Sequence, residues 1–302
     1  MLKHYLSLGM WLAFASPDLL KVGYGRISKI EKAELSFDDW SFPKGSLSGL
    51  TGLNVYVPNI IRNAIDPDNI ITRTYCLERR LGSAGLHEQA EYINGAMPST
   101  LTMTLPESGK IACDLVFAGL NATYRDGLTD ANRPFSDTQT FIAAPSDNAA
   151  FTTATDVVAT RLTLKGMYDG TSPGAANLFK FISAASISLN NTISANTAIG
   201  TLGAISQNKG KLVVGGSITA YFASVAALQA ARDNRTAALT VIAANDDGGF
   251  IIDIPSLTVS GARVTVASGA PVNLPLTPSG FEDEKGYTMA YMRFKYVPKM
   301  QD

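Results

Sequence analysis

The 302-residue sequence is short of charged residues, and this shortage excludes one class of protein. Charged residues make up 17% of the chain, against about 25% in an ordinary soluble domain. Lys and Arg number 25 and Asp and Glu number 26, so the formal net charge is -1. This balance excludes a protein that binds nucleic acid over a broadly basic surface. A surface so poor in charge favours extensive contact with other protein chains.

Cysteine and histidine are also scarce. The two cysteines, Cys76 and Cys113, fit neither a disulfide-rich scaffold nor a CxxC motif. Each lies in an apolar run, so we expect two buried free thiols. The two histidines, His4 and His87, leave little material for a histidine-based metal site or catalytic triad. Because no nucleotide-binding, nucleophile-elbow or zinc-protease motif occurs either, we predict that the protein is not an enzyme and has no cofactor or metal.

Long apolar runs are absent as well. No run reaches the roughly 18 residues that a membrane-spanning helix needs, so we predict no membrane span. Residues 6–15 are apolar, follow Lys3 and His4, and end in Ala13-Phe14-Ala15, a pattern similar to a short signal peptide. Two interpretations stay open for this segment: a cleaved signal, and an N-terminal arm that packs on another element. The thin positive region favours the arm.

Strand patterns dominate what the sequence does contain. Residues 99–105 alternate with period two, residues 106–110 supply turn residues, and residues 111–117 form a second extended run, which together predict a β-hairpin. Similar segments predict further strands at 160–164, 185–189, 216–222, 239–243, 250–254, 256–260, 263–267 and 287–296. Helical patterns are few: residues 224–234 predict one helix and residues 50–64 a second. The chain is therefore predicted to be mainly β, as a sandwich or barrel.

The middle of the chain predicts a division into domains. Residues 126–156 are rich in turn residues, Thr and Ala, and a connection of this length usually joins domains or serves a purpose. Both halves contain Pro-Ser followed by alternating threonines, at Pro98-Ser99 and Pro255-Ser256, which indicates an internal duplication. The predicted parts are an N-terminal arm with the first strands over 1–45, a first domain over 46–125, the linker over 126–156 and a second domain over 157–302.

The order of these elements resembles the major tail tube proteins of long-tailed, siphovirus-type bacteriophages. In the second half the resemblance runs through residues 186–191, a polar loop, residues 210–222, the short helix, and residues 252–261 and 270–276. The first half is also similar to tube domains, through residues 73–79, 92–95 and 109–117. The resemblance covers about two-thirds of the chain, and residues 1–45 depart from it.

The resemblance implies a structural virion protein with tandem tube-type β-sandwich or barrel domains, each with a short helix. Such domains pair edge to edge into a ring, and rings stack into the hollow tail tube that delivers the genome to the host. The implied location is the virion tail, after assembly in the host cytoplasm. The implied partners are two or five further copies of the chain in each ring, the tape measure, tail terminator and distal tail proteins, and double-stranded DNA in transit.

The same function predicts which residues line the bore. DNA carries one negative charge per about 1.7 Å of its axis, so a basic wall would bind and retain it. We therefore expect Asp and Glu, or neutral Thr, Ser and Asn, on the bore, and few Lys or Arg. The named candidates each lie on a predicted strand: Glu78, Glu91, Asp114 and Asp253.

Two polar loops, residues 190–209 and residues 79–89, are candidates for contacts between stacked rings, because they are long and lie at similar places in the two halves. The candidate residues in these loops are Asn191, Ser194, Asn196, Gln207, Arg79 and His87.

Two alternatives stay open at this point. One is another β-rich assembly protein, such as a different virion subunit or a pilus-type subunit, which shares the composition. The other is a secreted β-sandwich binding module, which fits the signal-like start. Electron microscopy distinguishes the first from a tail tube, and the N-terminus of the mature chain distinguishes the second.

Overall fold

The computed structural model describes residues 11–15, 22–31, 35–40, 54–56, 59–63, 70–84, 87–106, 111–135, 156–164, 182–222, 225–245, 248–261, 263–264, 268–269, 271–283 and 286–294. These residues contain eighteen strands and one α-helix, α1 (Val225–Arg232). The strands are β1 (Trp11–Ala15), β2 (Val22–Ile30), β3 (Leu35–Trp40), β4 (Asn54–Tyr56), β5 (Asn59–Arg62), β6 (Tyr75–Ala84), β7 (His87–Leu105), β8 (Ala112–Ala118), β9 (Asn121–Arg125), β10 (Asp156–Leu164), β11 (Ile182–Asn190), β12 (Ser194–Thr197), β13 (Ala204–Asn208), β14 (Val213–Tyr221), β15 (Ala237–Asn245), β16 (Gly248–Ser260), β17 (Asn273–Gly280) and β18 (Ala290–Phe294).

Most strands belong to one antiparallel sheet of twelve strands. Its main order is β10-β15-β16-β17-β14-β11-β7-β6, with β18, β5, β8 and β9 attached at the sides. A second sheet has the order β3-β2-β1-β4, and β12 and β13 form a separate hairpin. The predicted mainly β fold is confirmed, and the described strands of the large sheet do not close into a barrel.

The large sheet folds over itself into a sandwich because β16 changes its partner halfway along. Residues 249–253 of β16 pair with β18, whereas residues 257–260 pair with β17. Pro255 lies between the two parts, where a residue without a backbone N–H interrupts a ladder at little cost. One apolar cluster joins both layers. Its largest fully buried members include Ile187, Ile218, Leu239, Ile252, Ile254, Leu257 and Leu274.

Period-two alternation decides which side chains enter this core. Met103 of β7, Ile187 of β11 and Val214 of β14 are all at most 6% exposed. On each strand the residues that alternate with these core positions face away from the core, and on β7 and β11 they are mostly threonine and serine. The predicted hairpin at 99–117 is confirmed, since β7 and β8 pair from Met97 opposite Ala118 to Thr104 opposite Ala112. The predicted helix at 224–234 is confirmed as α1.

The predicted helix at 50–64 is wrong in its described part, which contains β4 and β5. The isoleucines of β5 pair with β18, a strand more than two hundred residues later, so a long-range ladder overrides a weak helical pattern. Residues 250–254 and 256–260 form one strand instead of two. Residues 263–264 and 287–289 are not in strands, while 265–267 and 295–296 lie outside the described residues.

The two cysteines are exposed, which corrects the expectation of buried thiols. The β8 strand that carries Cys113 lies at the side of the sheet, so an apolar run along the chain does not place its side chains in the core. No helix in the described part of the chain is long and apolar enough to span a membrane.

The two predicted domains contribute to the same large sheet, because β7 of the first half pairs with β11 of the second. The start of the predicted linker is attached to this sheet: the Arg125 guanidinium donates hydrogen bonds to the carbonyl oxygens of Ala131 and Arg133, 3.0 and 2.8 Å away. Residues 136–155 lie outside the described residues. The domain boundaries therefore stay a prediction.

Gly216 leaves no room for a side chain beside β11, and its replacement is expected to destabilise the fold. Its φ is +146°, and an added Cβ would lie 1.9 Å from the carbonyl oxygen of Ser186 on β11. We expect Gly216→Ala to lower the free energy of unfolding of the unassembled chain by about 3 kcal/mol. The adjacent Gly215→Ala is the matched control, since its Cβ would lie 3.5 Å from the nearest atom. Urea unfolding checks this, and equal stability of the two variants would contradict it.

Candidate functional site

Five adjacent strands, in the order β8-β7-β11-β14-β17, present a face covered with hydroxyl groups opposite the core. Thr102 lies between Asp114 of β8 and Ser188 of β11, and Ser188 is in turn opposite Gly215 of β14. Gly215 is opposite Ser279 of β17. Directly opposed residues share one face of a sheet. The hydroxyl-bearing residues of this face include Thr100, Thr102, Thr104, Ser186, Ser188, Ser217, Thr219, Thr277 and Ser279. We call it the hydroxyl face.

The hydroxyl face carries almost no charge. Strands β8, β11, β14 and β17 together contain one ionisable Asp, Glu, Lys or Arg residue, which is Asp114. Its side chain is exposed. The segment of β7 on this face, residues 97–105, contains none. A surface with hydroxyls, one carboxylate and no cation offers a polyanion no counterion-releasing contact.

Of the four carboxylates predicted to face a bore, the hydroxyl face contains Asp114 alone. Glu78 and Glu91 lie on the β6-β7 hairpin, where arginines neutralise them. Arg79 contacts Glu91 at 2.6 Å, and Arg80 contacts Glu78 at 3.5 Å. The side chains of Glu78 and Glu91 are only 16% and 12% exposed. Asp253 of β16 is also buried, with 8% exposure.

Glu78 has a further role in its own sheet. It accepts a 2.7 Å hydrogen bond from the Tyr92 hydroxyl, which itself accepts one from the Phe135 backbone N–H at 2.7 Å. Burial raises the pKa of Tyr92, and the hydrogen bond and charge of Glu78 raise it further, although the Phe135 contact acts in the opposite direction. These hydrogen bonds connect residue 135 to β7, so Glu78 stabilises this part of the fold.

The side strand β8 is a second unusual feature. Among the described strands it pairs with β7 only, and residues 112–116 are all exposed. Leu115, on the core side opposite Leu101, is 51% exposed, and Val116, on the hydroxyl face, is 55% exposed. Natural proteins usually protect such apolar edges from other chains with charges, bulges or covering loops. An open edge with apolar residues on both faces is therefore a candidate contact with another chain.

The predicted polar loop at 190–209 contains the β12-β13 hairpin, and three of its four polar candidates form hydrogen bonds within the chain. Asn191 donates to the Pro98 carbonyl oxygen at 3.0 Å, and Asn196 to the Ser206 hydroxyl at 2.9 Å. Gln207 donates to the Ala118 carbonyl oxygen at 2.8 Å. Ser194 is exposed on β12.

The tip of this hairpin is apolar, which the sequence reasoning missed. Ile199 is 106% exposed and Leu202 is 100% exposed, relative to reference values for the free residues. The available signal was the pair of large apolar residues around Gly200 and Gly203 in an otherwise polar loop. Two fully exposed aliphatic side chains on this hairpin are stronger candidates for contact with another chain than the polar residues around them.

The second predicted loop, residues 79–89, is corrected to a strand hairpin. Strand β6 continues to Ala84 and β7 begins at His87, so Arg79 lies within a strand, paired with Glu91. Alternating charges on both strands suggest a polar loop in the sequence, whereas cross-strand ion pairs explain them in the structure. The His87 side chain lies outside the described residues. Contact of either residue with another ring stays a prediction.

In the described part of the chain, no group of three or more His, Cys, Asp or Glu residues could hold a metal ion. Comparison with known families gives one clear result: a profile described as phage tail tube protein matches residues 6–280. No curated protein matches the chain significantly.

Proposed function

The chain belongs to the family of phage tail tube proteins, and on this premise we propose that its copies close into rings whose bore is lined by the hydroxyl face. Family membership makes the chain a structural protein of the virion tail, and the family assembles with itself into a tube alongside other tail proteins. The observation that carries the proposal is the hydroxyl face, five strands wide with Asp114 as its one charge.

The hydroxyl face suits a bore because genome delivery needs passage without binding. Each cation on the wall would release counterions from DNA and so favour a bound state. Thr102 and Ser188, at the centre of the face, offer neutral groups that stay hydrated. Asp114 would form a ring of carboxylates that repels phosphate. We therefore propose that Asp114 and the hydroxyl face line the path of double-stranded DNA.

The open edge of β8 supports ring closure through strand pairing. The strands of the hydroxyl face form one layer, with β8 at one edge. At its other edge, beyond β17, residues 258–260 of β16 pair with β17 only, among the described strands. Counting this end of β16, the layer has six antiparallel strands, so its two edge strands run in opposite directions. Copies related by rotation could then continue the antiparallel order from β16 of one chain to β8 of the next. The half-exposed Leu115 would be covered by the neighbour.

The number of strands sets the size of the tube. Each copy would contribute six strands, about 4.8 Å apart and tilted by about 40° from the tube axis. A closed cylinder of three copies then has a diameter of about 36 Å, measured between backbones, and one of six copies about 72 Å. The narrower wall surrounds one duplex more closely, and we propose three copies in each ring. The layer takes two of its six strands from the first predicted domain and four from the second, so the proposed threefold ring does not depend on the predicted duplication. At the tube ends and inside the bore, we propose the tail terminator, distal tail and tape measure proteins as partners.

An edge substitution tests the proposed ring. We expect Leu115→Lys to abolish tubes from purified protein, since a charge on an open edge opposes pairing with another strand. Leu128→Lys is the matched control, because Leu128 is 63% exposed in a bend outside the strands. Negative-stain electron microscopy of both variants and the unmodified chain checks the result. Normal tubes from Leu115→Lys would exclude β8 as the ring edge, and a wide bore would favour six copies.

A further inference from the structure

The β12-β13 hairpin rests on the end of β8, beside the open edge. The backbone N–H of Ala204 donates a 2.9 Å hydrogen bond to the carbonyl oxygen of Leu120, just beyond β8. The Gln207 side chain donates to the carbonyl oxygen of Ala118, the last residue of β8, at 2.8 Å. The hairpin therefore occupies the backbone at residues 118 and 120, and no other described strand pairs with the outer edge of residues 112–117.

The close contact depends on a glycine. Gly203 has a φ of +86°, and an added Cβ would lie 2.6 Å from the Leu120 carbonyl oxygen. Gly200, at the tip of the same hairpin, has the same φ of +86° but nothing within 4 Å of its Cβ position. The two glycines thus have equal backbone requirements and differ in whether they touch the end of β8.

If a strand from a second copy pairs along β8, the side chains of β8 alone do not determine which residues become opposite each other. A slip by one residue would exchange the two faces, and the side-chain pattern opposes it. A slip by two residues keeps the faces and shifts the strand by about 7 Å. After such a slip, a residue of the added strand that would face Leu115 on the core side faces Cys113 or Phe117 instead. These side chains are also apolar or weakly polar. The alternation alone therefore does not fix the register.

We propose that the hairpin sets this register: the incoming strand of a second copy pairs along residues 112–117 and is stopped at Ala118 by the docked β12-β13 hairpin. Gln207 and Gly203 are positioning residues in this arrangement, since they hold the stop and do not touch DNA. The inference rests on the proposed ring, in which β8 is the edge that a second copy joins.

The experiment compares tubes of the full chain with tubes of Gly203→Ala, Gln207→Ala and the control Gly269→Ala, which has a φ of +75°, has nothing within 4 Å of its Cβ position and lies outside the hairpin. Hydrogen exchange of assembled protein should show protection that covers residues 112–117 in the unmodified chain and in the control. The Gly203 and Gln207 variants should lose this sharp boundary, and cryo-electron microscopy should show several tube diameters or helical twists instead of one. Circular dichroism checks that each chain is folded.

The outcomes separate the two hypotheses. If the unmodified chain forms tubes without added protection at residues 112–117, then β8 is not the ring edge, and both hypotheses fail. If protection appears but Gln207→Ala and Gly203→Ala give the same single diameter and boundary as the control, the ring stands and the register stop is wrong. Should Gly203→Ala fail to fold, Gln207→Ala decides, because it removes one side-chain hydrogen bond and adds no atom.

Discussion

Chains that carry Ile199→Ser together with Leu202→Ser are expected to fold and close into rings but not to form long tubes. Both side chains are fully exposed in the single chain, so their replacement removes no packing from the fold. Burying an aliphatic side chain of this size contributes about 1.5–3 kcal/mol. Every copy in a ring would contribute two such contacts to the next ring, so the loss is multiplied around the interface.

The matched control replaces two other exposed apolar residues outside the hairpin. Ile71→Ser with Leu128→Ser makes the same chemical change at side chains that are 77% and 63% exposed. Sedimentation measures the fraction of polymer, and negative-stain images distinguish separate rings from tubes. Long tubes from the hairpin variant, at the concentration where the unmodified chain polymerises, would show that the tip is not the contact between rings.

This expectation moves the predicted inter-ring contact within one loop. The sequence indicated residues 190–209 because the segment is long and polar, and its candidate residues were Asn191, Ser194, Asn196 and Gln207. Three of these four form hydrogen bonds within their own chain. Such bonds depend on which backbone carbonyls the folded chain brings near, and no local pattern contains that information.

The parts of the fold that could be predicted are those with strong local signals. The hairpin at 99–117 has alternation on both arms and turn residues between them, and its partners are neighbours in sequence. The helix α1 has an alanine-rich interior. The tail tube family was also predictable, because the order of strands and helix survives where single motifs do not.

The parts that failed depend on distant partners. Residues 59–62 become a strand because β18 lies beside them. Strand β6 continues through Arg79 and Arg80 because Glu91 lies opposite Arg79 and Glu88 of β7 forms an ion pair with Arg80. Two of the predicted bore carboxylates, Glu78 and Glu91, form ion pairs with these same arginines, and their place on a bore stays a prediction. A carboxylate on a predicted strand gives no indication of whether its neighbour across the sheet is a cation.

The residue types of the hydroxyl face could be predicted from the sequence, but the strands that form the face could not. Neutral Thr and Ser were expected on the bore as well as carboxylates, and the alternating threonines of 99–105 are visible in the sequence. Placing them on one surface with Ser186, Ser188 and Ser217 needs the pairing of β7 with β11 and of β11 with β14. Those strands lie about eighty and thirty residues apart, so only the folded sheet reveals a continuous face.

Arginine at the centre of the hydroxyl face is expected to leave tubes intact and to stop DNA. Thr102→Arg with Ser188→Arg places two cations side by side, because these residues are direct cross-strand partners. Each ring then repeats them in every copy, and stacked rings make a basic path along the bore. For a protein that contacts 6–10 phosphates, the affinity for DNA falls by a factor of about 10³–10⁵ between 50 and 200 mM salt. Retained DNA should show a salt dependence of this order.

Thr102→Asn with Ser188→Asn is the control, since it adds polar bulk at both positions without charge. Electron microscopy should show tubes of normal diameter for both variants, which separates a failure of passage from a failure of assembly. Phage that carry the arginine variant should lose infectivity by orders of magnitude, while the asparagine variant stays near the unmodified titre. Purified arginine tubes should retain duplex DNA at about 50 mM salt and release it at about 200 mM. Equal infectivity of the two variants, with intact tubes in both, would place the bore on another face of the protein.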